Sequence, residues 1–84
     1  MTNNDVLKKQ IIYRSSHRGT KEMDIILGAF VNKYIDLLNE KNLKDLNTIL
    51  SLEDEILYDW YFNKRSTKKI VENEISAMLR KFKL

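Results

Sequence analysis

The chain has 84 residues, a formal net charge of +3, 43% apolar and 32% charged residues, two Gly, and neither Pro nor Cys. That length holds one domain with a modest core, burying roughly 60 to 65% of its unfolded surface, and leaves no room for an internal substrate cavity. Without Cys there is no disulfide scaffold, thiolate metal site or thiol nucleophile, and a single His builds no zinc site alone.

Scarce helix breakers and a 3.6-residue apolar period predict an all-α, compact five-helix bundle, a single domain over residues 1–84. The first helix spans roughly residues 5–14, with Leu7 and Ile11 on one face and Asp5 suited to the positive helix start. Ser15, Ser16, His17, Arg18 and Gly19 end it. Gly19 lacks a Cβ, so a tight turn at positive φ is expected there before Thr20 caps the second helix.

That second helix, roughly residues 20–39, carries the strongest stripe: Met23, Ile26, Leu27, Phe30, Val31, Tyr34, Ile35 and Leu38. A third, roughly 43–50, is expected to start at an Asn42 cap and to bury Leu43, Leu46, Ile49 and Leu50. Glu53, Asp54 and Glu55 open a fourth over roughly 53–62, where Leu57, Trp60 and Tyr61 face the core and Trp60 is read as structural. The last, roughly 68–82, aligns Val71, Ile75, Met78, Leu79 and Phe82, with Arg80, Lys81 and Lys83 at its negative end.

Charge is divided along the chain, with +3 over residues 1–35, −5 over 36–59 and +5 over 60–84, a layout suited to docking on another protein. The basic cluster Lys64, Arg65, Lys68 and Lys69 reads as a solvated corner. Residues 25–31, the longest apolar run, fall far short of the roughly 20 residues that span a bilayer, and the first residues are polar. A bacterial cytoplasmic protein is therefore expected, or a processed protein of the mitochondrial matrix, with no membrane insertion.

The most informative segment is the polar corner where Arg14, His17, Arg18 and Lys21 crowd around Gly19 beside Glu22 and Asp24. There the string His17-Arg18-Gly19-Thr20-Lys21-Glu22-Met23-Asp24 resembles the RGxxE signature of the succinate dehydrogenase assembly factor family. Asp24, the apolar run ending at Phe30, and an acidic stretch leading into Leu57-Tyr58-Asp59-Trp60 strengthen the likeness, which covers roughly residues 5–62. Thr20 departs from the family's common Met, Gly28-Ala29 from a Pro before the aromatic residue, and Glu55-Ile56 from a Pro-Asp pair.

The resemblance implies a five-helix bundle that binds the flavoprotein subunit of succinate dehydrogenase, or of fumarate reductase, and promotes covalent attachment of FAD to that subunit. It implies a non-enzymatic monomer with no permanently bound cofactor, because FAD is handled on the partner, whose own histidine receives the flavin. By position, Arg18, Gly19 and Glu22 form the partner contact, flanked by Arg14, His17 and Asp24. A bidentate Arg18, an accepting Glu22 and a small Gly19 suit close docking, provided that the bend projects both guanidinium and carboxylate outward.

The residues themselves leave rivals. No phosphate-cradling GxxxxGK or GxGxxG loop, no HExxH, and no Ser beside a usable base supports an enzyme. A pI near 9.2 keeps open a nucleic-acid-binding bundle that sets Arg14, Arg18 and Lys21 against phosphates, and a protein-interaction bundle with an unrelated partner stands beside it.

Overall fold

The computed structural model describes residues 3–84 and contains five α-helices: α1 (Asn3–Ser16), α2 (Lys21–Tyr34), α3 (Glu40–Leu50), α4 (Asp54–Tyr61) and α5 (Glu74–Lys81). No strand occurs among the described residues, so the all-α expectation holds. α1 packs on α2 and α3, and α3 packs on α5.

The helix ends follow the caps. Thr20 caps α2 as expected, its hydroxyl accepting from the Met23 amide at 3.2 Å. α2 then stops at Tyr34, short of the expected 39, and passes through a 3₁₀ turn, Ile35–Leu37, into an extended Leu38. The cause lies in Asn39. Its side chain accepts from the Asn42 amide at 2.8 Å, so Asn39 caps α3 and Asn42, the expected cap, becomes a buried member of the first turn. α1 runs longer than expected at both ends; near its carboxyl end the Ser15 and Ser16 hydroxyls donate back to the Ile12 carbonyl, each at 2.9 Å.

α5 starts at Glu74 rather than near 68, because Asn73 and Ser76 form a reciprocal capping box: the Ser76 amide donates to Asn73 at 2.9 Å and the Asn73 amide to Ser76 Oγ at 2.8 Å. Residues 62–73 form no helix, and in that segment Ile70 enters the core while Val71, expected inside, stands 71% exposed. Outside a helix, successive side chains diverge and the expected stripe no longer applies.

One hydrophobic cluster joins all five helices, with Ile11, Phe30, Leu43, Leu46, Leu57, Ile75 and Leu79 sealed inside. Phe82 follows α5 and meets Phe30 edge-on with centroids 5.4 Å apart, while the Tyr61 hydroxyl donates to the Phe82 carbonyl. Burial pushes the Tyr61 phenol above its ordinary value of 10.0. Trp60 is buried, as expected, beneath the Arg80 guanidinium 5.4 Å from its ring centroid.

Candidate functional site

The corner between α1 and α2 is built from four residues, 17–20, that turn the chain without a left-handed glycine: no described Gly has positive φ. α1 ends as the His17 imidazole folds back on it, stacking on Tyr13 at 3.9 Å between centroids and donating from Nδ1 to the Tyr13 carbonyl at 2.8 Å. The Arg18 amide then donates to Asp24 Oδ1 at 2.7 Å, so a carboxylate on the first turn of α2 braces the bend that precedes it.

The Arg18 side chain departs from expectation. Instead of facing solvent, the guanidinium lies between three chain segments, with the side chain 7% exposed. Nε donates to Asp54 Oδ1 at 2.5 Å, Nη2 to the Leu52 carbonyl at 2.7 Å, and Nη1 to the carbonyls of Leu50 at 2.6 Å and Arg14 at 3.3 Å. Leu50 closes α3 and Arg14 lies in the last turn of α1, so two of these oxygens belong to carbonyls left without helical donors. One planar cation thus serves the negative ends of two helices and an acidic side chain at the positive start of a third.

Asp54 completes the arrangement. Its second carboxylate oxygen accepts the Gly19 amide, so one side chain holds both the guanidinium and the backbone of the bend. This accounts for Gly19 in place of the expected positive φ: a Cβ there would stand 2.8 Å from Asp54 Oδ2, which Arg18 keeps from swinging away. An Arg18–Glu22 ion pair does not form, because Arg18 precedes α2 and its charge is already matched by Asp54.

The six expected contact residues therefore divide. His17, Gly19 and Glu22 lie exposed on one corner, and the Glu22 side chain makes no hydrogen bond or ion pair among the described residues. Arg18, Arg14 and Asp24 turn their polar groups inward; Arg14 donates to Asn47 Oδ1 at 2.9 Å and ties α1 to α3. Of the three cations set against phosphate in the nucleic-acid reading, only Lys21 stays fully on the surface. Asp54 was expected only as part of the acidic opening of α4 that strengthens the family likeness, not as the partner of Arg18 and Gly19. The available signal was the pairing of two polar motifs, which meet here in space across 36 residues.

No group of His, Asp and Glu among the described residues is arranged to hold a metal ion, and no described helix is long and apolar enough to cross a membrane. A family model described as flavinator of succinate dehydrogenase matches residues 9–83. The FAD assembly factor SdhE of Acetobacter pasteurianus is 34% identical over 74 residues, which cover 88% of this chain and 65% of that protein. A mitochondrial succinate dehydrogenase assembly factor 2 from Dictyostelium discoideum is 31% identical over 74 residues, covering 88% of this chain and 52% of the relative. The one from Danio rerio is 28% identical over 80 residues, 93% of this chain and 51% of its own length. The chain thus spans from about half to just under two thirds of these relatives. No solved structure is a significant match.

Proposed function

The chain belongs to the family described as flavinator of succinate dehydrogenase, and from that premise we propose that it binds the flavoprotein subunit of that enzyme, or of fumarate reductase, and promotes covalent attachment of FAD there. The observation that carries this reading is the convergence of the RGxxE string and the acidic opening of α4 on one corner, where Asp54 holds Arg18 and Gly19 while Glu22 and His17 are exposed.

In this reading Glu22 accepts from a cation or backbone amide of the partner, and Gly19 lets the two backbones approach closely. Arg18 supports the surface from beneath rather than touching the partner. FAD is handled on the flavoprotein, whose own histidine forms the bond to the flavin. The redox chemistry belongs to the flavin, and the assembly factor contributes position: it favours the partner conformation in which the acceptor and the flavin ring meet. The chain acts as a non-catalytic monomer where the flavoprotein matures, in the bacterial cytoplasm or the mitochondrial matrix.

Deleting the chain from its host and measuring flavin fluorescence on the denatured flavoprotein subunit tests this. Loss of the covalent signal, restored by the wild-type chain and poorly by Glu22→Ala, is the expected result; unchanged labelling in the deletion contradicts the proposal. The nucleic-acid reading has less support, since Arg14 and Arg18 are already engaged inside the bundle.

A further inference from the structure

Asp54 lies outside the RGxxE string, at the first residue of α4, yet each of its carboxylate oxygens holds a different part of the corner. Its side chain is 17% exposed, too little to offer a partner a broad contact. We propose that Asp54 is a positioning residue for partner binding: it fixes the Gly19 backbone and the Arg18 guanidinium, and so sets the direction in which the first turn of α2 presents Glu22.

Three observations carry the assignment. First, the bend has few restraints of its own. Residues 17–20 form no helix, and the contacts that brace them include the Asp24 bond to the Arg18 amide, the His17 stack on Tyr13, the Asp54 pair of bonds and the guanidinium bonds to the Arg14, Leu50 and Leu52 carbonyls. Second, Asp54 ties the backbone of the bend, through the Gly19 amide, to a distant helix, and it also holds the guanidinium that reaches the Leu50 and Leu52 carbonyls, so it fixes the corner relative to the bundle as well as its local shape. Third, α4 is an independent anchor, with Leu57, Trp60 and Tyr61 buried in the core, so the carboxylate projects from a rigid base. A binding group held on packed elements loses little freedom on docking, which raises affinity without any new contact. Glu22, two residues beyond the Thr20 cap, inherits that rigidity through α2.

The inference rests on the proposed function, and a double-mutant cycle separates the two. The affinity of the isolated flavoprotein subunit is measured for the wild-type chain, Glu22→Ala, Asp54→Ala and the double variant, with Tyr61→Phe as a control that loses a hydrogen bond at the far end of α4. Asp54→Ala is expected to weaken binding about tenfold or more at a temperature where the variant is folded, while Tyr61→Phe binds like wild type. Removing Glu22 should then cost much less in the Asp54→Ala background than in the wild type, because a carboxylate already misdirected has little left to lose. The Gly19 amide proton should move upfield in the same variant, marking its lost acceptor. Should Asp54→Ala fail to fold, Asp54→Asn replaces it in the cycle, because its amide has a single acceptor oxygen and so sets an NH2 against either the Gly19 amide or Arg18 Nε. Wild-type affinity in the folded Asp54 variant, or losses from the two sites that simply multiply, overturns the positioning role alone. A wild-type chain that does not bind the subunit overturns the proposed function and this inference with it.

Discussion

The bend at residues 17–20 and the segment at 62–73 are both polar and basic, and they are held in different ways. In the first, a guanidinium and a carboxylate knit α1, α3 and α4 together, with the cation almost wholly withdrawn from solvent. In the second, Lys64, Arg65, Lys68 and Lys69 are all exposed, and Ile70 alone is buried. Its fixed points, among the described residues, include no ion pair: Lys64 takes φ 55° and its ammonium donates to the Arg80 carbonyl at 3.4 Å, the Arg65 amide reaches the Asp59 carbonyl at 3.1 Å, and the Asn63 side chain donates to Asp59 Oδ1 at 2.7 Å. Composition treats the two alike. What separates them is whether an opposite charge waits at the right place in the fold, and a cation so matched becomes part of the framework instead of the surface.

The contrast breaks most visibly at Arg18. Replacing it with Ala strands Asp54 and leaves carbonyls at two helix ends without donors, so a loss of about 3 kcal/mol is expected by chemical denaturation, whereas Arg65→Ala should stay within about 0.5 kcal/mol. Equal, small losses at the two positions would show that the withdrawn cation contributes no more than a solvated one. Gly19→Ala should come next, at about 1 to 2 kcal/mol, since its Cβ meets a carboxylate oxygen 2.8 Å away that is itself restrained. Full stability in that variant would mean that the carboxylate shifts freely.

Tyr61→Phe probes the far end of α4, where the loop segment begins, and should cost about 1 kcal/mol through the lost bond to the Phe82 carbonyl. It also carries a pH signature. Because burial raises the folded phenol above 10.0, the wild-type contribution is fully present below that value and is lost as pH rises through the folded pKa. Denaturation curves of wild type and variant should therefore converge in that alkaline window; a constant gap would contradict the burial account. The smallest effect lies in the loop itself. Lys64→Gly should raise stability by about 0.5 kcal/mol, because Gly occupies positive φ without the steric cost that Lys bears there.

Much of the fold was legible because it depends on local rules. The stripe from Met23 to Val31, the Thr20 cap and the buried Leu57 and Trp60 follow from periodicity and capping, and they appear as expected. Where two caps compete, the reading slipped: Asn39 and Asn42 both suit a helix start, and only the packed chain shows that Asn39 takes the role. Val71 misled for a related reason, since apolar spacing presumes a helix that the Asn73 capping box postpones. At the candidate site the residue types were visible, but the direction of Arg18 was not. Its partner Asp54 lies 36 residues away, and no local pattern tells a cation aimed at solvent from one aimed at a distant carboxylate.

Hydrogen exchange read peptide by peptide, with and without the flavoprotein subunit, compares the two regions in one experiment. The account predicts that the added subunit slows exchange over the bend and the first turns of α2, through Glu22, and leaves residues 62–73 unchanged. Slowing confined to 62–73, with the bend exchanging as in the free chain, would contradict it.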